Sequence, residues 1–476
     1  MKLFRPTLLS LACLLVLPAP ASDLPSLGDS SSGVVSPGQE HMLGRAWLSM
    51  LRGQVQTLSD PLLKDYVEST IYRLAETSQV EDRRFEFILM NSPELNAFAA
   101  PGGIIGINGG LFLHAETEAE YASVLAHELA HLSQRHFARG IEEQQRMQLP
   151  MMAALLLGVV AAAAGAGDAG MAAITSSQAA AYQSQTAFSR QNEQEADRVG
   201  LLNLERAGYD PRAMPAMFER LVREYRFDQK PPEFLLTHPL TESRIADTRN
   251  RADQAPAGGK ENSLRYQLIS ARMKLQFENT PGLVAKEFQA RLSDNPKDDV
   301  ARYGLTIAQI KAGQFETARS TLAPLLAKAP GELIYNLAQT ELDIDSNHPG
   351  QASERLKRLL QLYPTSLPVQ QMQVDLLLKQ GNLEAASRLL EDMVSQRSTD
   401  PGIWYQVAEI RGQTGNLTGV YQARAEYFAL VGRYEDAFQQ LDYAKRRSTS
   451  FQEGARLDAR LKELQNEKRM IDELFN

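Results

Sequence analysis

Two histidines separated by three residues give the strongest chemical signal in the sequence. They occur in the run His127-Glu128-Leu129-Ala130-His131. Because positions i and i+4 lie on one face of an α-helix, both imidazoles can bind the same metal ion. Glu128 lies beside them, where a general base for an attacking water is needed. The spacing predicts a zinc hydrolase site, and the plain alternative is two surface histidines on a helix.

A catalytic zinc site needs a third protein ligand and an open position for water. The acidic helical run 191–197 supplies candidates for that ligand. With the segment 96–103, Asn-Ala-Phe-Ala-Ala-Pro-Gly-Gly, these motifs resemble the HtpX and CAAX-prenyl-protease class of zinc metallopeptidases. The resemblance implies that Glu193 is the third ligand and that Asp197 supports a ligand histidine. Glu195, two residues from Glu193, is expected to face elsewhere.

The segment 237–244 resembles a further element of this family, a His-Pro…Arg run that follows the third ligand. The resemblance implies catalytic roles for His238 and Arg244. His238 could donate to the oxyanion or occupy the fourth metal position in a latent state, and Arg244 could brace the acids or the substrate carbonyl. The alternatives are a turn histidine and a structural ion pair. His136 lies off the ligand face and is expected to be structural.

Hydrophobic periodicity predicts the elements that must position these residues. The helical segments are 40–77, which would hold two helices, 116–139, which carries the histidine pair, 191–208 and 211–226. A period of two predicts strands at 85–90 and 104–107, separated by turn formers, and therefore a small antiparallel sheet. The strand at 104–107 is expected to be an edge strand that binds extended substrate. The fold class is mostly α with a small β-sheet.

A spacing of 34 residues recurs in the C-terminal half. The matching positions are Gly313, Asn347, Gly381 and Gly415. This is the tetratricopeptide period, and it predicts an α-solenoid. Gly432 begins a similar unit after half a period, so we expect about four to five repeats over 262–447, with 456–476 as a capping helix.

The N-terminus has the charged, apolar and small-residue order of a secretory signal peptide, with cleavage expected after Ala21. The product is then exported, most simply to a bacterial periplasm. The single cysteine, Cys13, would leave with the signal, and one cysteine excludes an intramolecular disulfide framework. A lipoprotein anchor at Cys13 and an uncleaved membrane anchor are the alternatives.

The chain of 476 residues carries a formal net charge of −8 and a near-average apolar fraction, which disfavours bulk disorder and basic nucleic-acid binding. The predicted order is a signal peptide (1–21), a flexible leader (22–39), a zinc metallopeptidase domain (40–254), a linker (255–261) and a repeat domain with its cap (262–476). The apolar segment 147–189, in which Asp168 is the only charged residue, is expected to form a lid or hairpin. A surface that dips into a membrane and a transmembrane helix are its alternatives.

A gluzincin-type, HtpX-like peptidase joined to a repeat array resembles the BepA-type family of periplasmic β-barrel assembly-enhancing proteases. The resemblance implies one Zn²⁺ per chain and an endopeptidase that promotes assembly of outer-membrane β-barrel proteins and degrades stalled or misfolded ones. It also implies contact with the assembly machinery through the repeat surface, with peripheral membrane contact left open and no nucleic-acid partner. A repeat adaptor or chaperone with a silent or latent zinc site, and an integral membrane protease, are the competing hypotheses.

Overall fold

The computed structural model describes residues 35–143, 190–225, 231–278 and 280–475. The N-terminal half holds α1 (Pro37–Gln54), α2 (Pro61–Thr77), β1 (Glu86–Met90), β2 (Ala97–Ala100), β3 (Ile104–Asn108), α3 (Leu111–His114), α4 (Glu118–Ser133), α5 (His136–Glu143), α6 (Arg190–Arg206), α7 (Ala213–Tyr225), α8 (Glu233–Thr237) and α9 (Glu242–Gln254). The predicted signal peptide, most of the leader and the apolar segment 147–189 lie outside the described residues. Within them, no helix combines the length and the apolar character needed to cross a membrane.

Helix α1 begins earlier than the predicted leader ends. Ser36 caps the helix, since its hydroxyl accepts from the Gln39 amide and the Gln39 side chain accepts from the Ser36 amide. Pro37 occupies the first turn, where its missing N–H costs nothing. The last three residues of the segment 22–39 are therefore helical rather than flexible.

The sheet is mixed, which corrects the prediction of an antiparallel one. Its strand order is β1-β3-β2, with β1 parallel to β3 and β2 antiparallel to β3. The segment 97–100 was expected to be part of a connection, but it forms β2 and pairs Phe98 with Gly106. Because β2 turns back at Gly102 and Gly103, both with positive φ, β3 runs in the same direction as β1. β3 is consequently the central strand, and the expectation of an edge strand at 104–107 is wrong.

The predicted helix 116–139 is broken in two. Helix α4 ends at Ser133 and α5 starts at His136. Between them, Arg135 adopts a left-handed conformation with φ of 49°. A non-glycine residue there stops regular helix, so the chain after Arg135 takes a new direction.

The C-terminal half is a series of helices that pack on their neighbours in sequence. They are α10 (Leu264–Phe277), α11 (Pro281–Asp294), α12 (Asp299–Lys311), α13 (Phe315–Lys328), α14 (Leu333–Asp345), α15 (Pro349–Leu362), α16 (Leu367–Lys379), α17 (Leu383–Gln396), α18 (Pro401–Gln413), α19 (Leu417–Leu430), α20 (Tyr434–Arg447) and α21 (Phe451–Phe475). The expectation of a mostly α fold with a small sheet and a helical repeat array is confirmed.

The repeat turns share one backbone conformation. The residues at the 34-residue positions have φ of 70° at Gly313, 61° at Asn347, 70° at Gly381 and 76° at Gly415. Gly432, half a period later, has φ of 73°. Asparagine is among the few residues that tolerate this region, so Asn347 fills a glycine position without changing the turn.

The array returns to the N-terminal half and contacts α1 and α2. Ion pairs along α2 hold it there. They join Asp60 to Arg272 at 2.5 Å, Asp65 to Arg265 at 2.5 Å, Glu68 to Arg397 at 3.0 Å, and Lys64 to Asp400. Helix α2 thus forms ion pairs with both early and late parts of the array.

Candidate metal centre

Helices α4 and α6 are closely packed, and this contact brings the two motifs together. Gly200 of α6 lies against the backbone of Ala126 and His127, where an added Cβ would come within 3.1 Å. A side chain there would push the helices apart. The glycine therefore lets α6 approach the histidine-bearing helix, and it places Glu193 and Asp197 one turn apart beside His127.

Four buried side chains converge at one point. Their ligand atoms, from His127, His131, Glu193 and His238, all lie within 4.8 Å of one another. Nε2 of His131 is 3.4 Å from Oε1 of Glu193, and Nδ1 of His238 is 3.1 Å from the same oxygen. The structure thus brings together the three expected metal ligands and the histidine expected near them.

The donor set fits a metal ion better than it fits a hydrogen-bond network. Nε2 of His127 faces His131 Nε2 at 3.0 Å, His238 Nδ1 at 3.3 Å and Glu193 Oε2 at 3.5 Å. A ring nitrogen carries either one hydrogen or one lone pair, so it cannot satisfy three such neighbours. A cation between them can, and imidazole with carboxylate is a donor set that zinc accepts.

The charges around the site also favour a cation. Although burial opposes it, hydrogen bonds to Asp197 and Glu193 raise the pKa of His127 to about 10. Burial lowers the pKa of His131 well below its usual range, which keeps that ring neutral as a metal ligand must be. The acids thus stabilise positive charge at the point where the ring nitrogens meet.

Arg244 braces the acids of α6, one of the two roles expected for it. Its Nε and Nη2 donate to the two oxygens of Asp197 at 2.7 and 2.8 Å. Its Nη1 lies 2.8 Å from Glu193 Oε2 and donates to the Pro239 carbonyl at 2.8 Å. Asp197 in turn lies 3.0 Å from Nδ1 of His127. Arg244 therefore fixes both the candidate ligand Glu193 and the acid behind His127.

Glu128 differs from the other acids because neither of its oxygens has a hydrogen-bond partner of normal geometry. His238 Nε2 lies 3.4 Å from its Oε1, and the backbone of Ala99 on β2 is also close. Burial raises the pKa of Glu128, against the opposing positive charge of His238 and His127. A buried carboxylate with a raised pKa and spare acceptor capacity is suited to receive a proton.

His238 ends α8 and lies over the site. Its backbone N–H donates to the Phe234 carbonyl, and its ring packs 5.1 Å from the Phe234 ring. Nδ1 points at the convergence of ligands and Nε2 at Glu128. This position is compatible with both roles expected for it, a fourth ligand and a donor to the reacting group.

Two residues near the site were missed. His136, expected to be merely structural, places Nδ1 3.0 Å from Nδ1 of His131. Glu195 lies outside the ligand cluster, as expected, but its Oε2 is 3.2 Å from Nε2 of the same His136, a contact that was not foreseen. The helix break at Arg135 turns His136 back toward the site, and an unbroken helical pattern gives no signal for that.

Comparisons with known proteins divide the chain in the same way as its structure. Peptidase family M48 matches residues 61–252, and a tetratricopeptide repeat family matches 285–341 and 343–410. The beta-barrel assembly-enhancing protease of Escherichia coli (strain K12) is 36% identical over 463 residues, 96% of this chain and 93% of the relative. Its namesake from Yersinia pestis is 34% identical over 461 residues, 96% of this chain and 94% of the relative. The mitochondrial metalloendopeptidase OMA1 of Arabidopsis thaliana is 30% identical over 226 residues, 47% of this chain and 44% of the relative.

Proposed function

The chain belongs to the family of the beta-barrel assembly-enhancing proteases, and on this premise we propose that it is a zinc-dependent endopeptidase of the bacterial periplasm that acts on outer-membrane β-barrel proteins. It is a metallopeptidase of family M48 with tetratricopeptide repeats. The observation that carries the proposal is the buried convergence of His127, His131 and Glu193 beside a Glu128 with spare acceptor capacity.

In this proposal His127, His131 and Glu193 hold the zinc ion. When bound, zinc supplies a Lewis acid at the scissile carbonyl and makes water available as a nucleophile near neutral pH. Glu128 takes the proton from the attacking water and passes it to the leaving amine. Burial raises the pKa of Glu128, which supports this role because a raised pKa makes the carboxylate a stronger base toward the proton of the attacking water.

Substrate alignment is assigned to β2. It is an edge strand of the sheet, it contacts α4, and its Ala99 backbone lies near Glu128. An edge strand binds an extended peptide through backbone hydrogen bonds, which selects unfolded segments rather than particular side chains. This supports action on incompletely assembled proteins.

His238 is proposed as a catalytic group with a latent state. Its Nδ1 is close enough to the ligand cluster to occupy the fourth metal position, while its Nε2 faces Glu128. If His238 were a fourth ligand, no open position would remain for water. Peptide hydrolysis would then require His238 to withdraw, and its ring could donate to the oxyanion.

The two predicted domains are assigned different roles. The peptidase domain (40–254) hydrolyses the substrate, and the repeat domain (262–476) binds client proteins or the assembly machinery of the outer membrane. A repeat adaptor with a silent zinc site is disfavoured, because the full ligand set and Glu128 are retained in buried positions. The names of the relatives support β-barrel assembly as the process served.

The test is hydrolysis of casein and of an unfolded outer-membrane β-barrel by the mature protein and by Glu128→Gln. We expect the variant to retain zinc and to cleave at least about 100-fold more slowly, the usual contribution of a general base. Glu205→Gln, on α6 outside the ligand cluster, is the matched control and should cleave normally. Measurable cleavage at the same rate by Glu128→Gln and by the unsubstituted protein would refute the proposal.

A further inference from the structure

The two histidines of α4 have different partners behind them. His127 Nδ1 faces the carboxylate of Asp197 at 3.0 Å. His131 Nδ1 instead faces Nδ1 of His136 at 3.0 Å, and both rings are buried. Metal-binding histidines nearly always donate their second ring N–H to an acceptor that fixes the ring. For His131 that acceptor is therefore another histidine.

The groups that each ring nitrogen faces determine which nitrogen of His131 and of His136 carries the hydrogen. His131 Nε2 faces the ligand cluster, so the hydrogen of the neutral ring lies on Nδ1 and is donated to His136 Nδ1. His136 then carries its hydrogen on Nε2, which lies 3.2 Å from Glu195 Oε2. Arg139 Nη1 donates to the same oxygen at 2.9 Å. Every donor in this series meets an acceptor.

The backbone is specifically arranged to make this contact. At five residues from His131, a continuous helix would direct His136 about 140° away from it. The left-handed residue Arg135 ends α4 and starts α5 in a new direction, which returns the ring to His131. Arg139, one turn into α5, is thereby brought to Glu195 on α6.

We propose that His136 is a positioning residue for the metal centre, which holds His131 in the ring orientation and tautomer that bind the metal, with Glu195 and Arg139 fixing His136 in turn. The inference rests on the proposed zinc site. It makes His136 the counterpart of Asp197, and Glu195 with Arg139 the counterpart of Arg244. The two members of this support differ in exposure, since the His136 side chain is 0% exposed and that of Glu195 is 37% exposed. The loss of Glu195 should therefore cost less than the loss of His136.

The experiment measures the dissociation constant of zinc by competition with a chelating dye, on the full mature chain. His136→Leu fills the space but accepts no hydrogen bond, and we expect zinc to bind about 10- to 100-fold more weakly. His136→Asn places an oxygen where Nδ1 stood, and we expect affinity within about 3-fold of the unsubstituted protein. His114→Leu, at the end of α3, is the control and should leave the affinity unchanged.

Two results for the His136 variants would overturn the inference. One is a zinc affinity of His136→Leu within about 3-fold of the unsubstituted protein, and the other is an equal loss in His136→Leu and His136→Asn, since the ring itself would then matter rather than its acceptor. If His136→Leu does not fold, Glu195→Ala tests the same series and should bind zinc about 3- to 10-fold more weakly; unchanged affinity there would overturn the inference too. If the unsubstituted protein binds no zinc, the proposed function itself fails and this inference falls with it.

Discussion

The metal centre is built from contacts between residues far apart in the sequence, and the repeat array from contacts between neighbouring helices. In the metal centre, His127 meets His238 across a sequence separation of 111 residues, and Arg244 meets Asp197 across 47. In the array, each helix packs mainly on the next, and the same left-handed turn recurs from Gly313 to Gly432. A long-range site fails as a unit when one group is lost, whereas a repeat array distributes its stability over neighbouring interfaces.

The two regions also differ in the solvent exposure of their charged side chains. The acids and bases of the metal centre are almost completely buried, so each depends on its partner for compensation. The ion pairs that hold the array on α2 are partly exposed, with Lys64, Arg265 and Arg397 all accessible to solvent. Solvent weakens such pairs, so they orient the array more than they stabilise it.

The largest expected effect is at Glu193. Glu193→Gln keeps the shape of the side chain but removes the charge from the ligand cluster, and we expect zinc affinity to fall by more than about 100-fold, beyond the loss of any outer partner. Hydrolysis should become undetectable, while Glu205→Gln on the same helix should behave normally. Zinc titration and casein cleavage measure the two quantities. Stoichiometric, tight zinc in Glu193→Gln would mean that the site is not built as described.

Substitution of Arg244 tests whether a buried ion pair contributes more to stability than a partly exposed one. Arg244→Met leaves Asp197 and Glu193 without their shared cation, and we expect the metal-free protein to lose about 3–5 kcal/mol of unfolding free energy. Arg397→Met removes a partly exposed partner of Glu68 in the array contact and should cost about 1 kcal/mol or less. Urea denaturation of both variants provides the comparison, and equal losses would contradict it.

Glu233 provides a pH-dependent test at the edge of the site. Burial and the nearby charge of Glu94 raise the pKa of Glu233 from 4.5 to about 7, against the hydrogen bond that Asn96 donates at 3.0 Å. The folded state therefore favours the protonated acid, and its contribution to stability is lost as the pH rises from about 4.5 to about 7. Glu233→Gln should stabilise the protein by about 2–3 kcal/mol at pH 8 and by much less at pH 5.

Melting curves at the two pH values measure this effect. Asn96→Ala, which removes the donor but keeps the acid, should not reproduce the gain at pH 8. An equal stabilisation by Glu233→Gln at both pH values would show that the carboxyl group titrates normally in the folded protein.

The smallest effect is expected in the repeat turns. Gly381 has a φ of 70° and open space around its Cα, so Gly381→Ala meets no steric clash and should cost only the strain of a left-handed alanine, about 1–2 kcal/mol. Gly331→Ala has equal space without the left-handed backbone and should change stability by less than about 0.5 kcal/mol. Neither should alter zinc affinity, and a loss of zinc in Gly381→Ala would contradict the separation of the two regions.

The features that follow from the residues alone depend on local spacing, whereas the expected roles of Glu193, Asp197, His238 and Arg244 came from the resemblance to a family. Four-residue spacing places His127 with His131 on one helix face, and the 34-residue period places the repeat turns. These patterns repeat within a few turns or within one repeat. They are therefore visible without knowledge of the tertiary fold.

The features that sequence analysis missed depend on how distant segments pair. The four residues of β2 are too few and too small to stand out from the glycine and proline around them, so the sheet was expected to be antiparallel with β3 at its edge. His136 was expected to be structural because the apolar periodicity predicts a continuous helix through Arg135. The arginine at position 135 gives no sequence signal of a left-handed conformation, since arginine rarely adopts one.

The most direct test of the metal centre is a crystal structure of the zinc-loaded mature protein, with anomalous difference density collected on both sides of the zinc absorption edge. We expect one strong zinc peak per chain, about 2.0–2.2 Å from Nε2 of His127, Nε2 of His131 and a carboxylate oxygen of Glu193. Zinc bound elsewhere, or a peak in contact with fewer than two of these three residues, would contradict it.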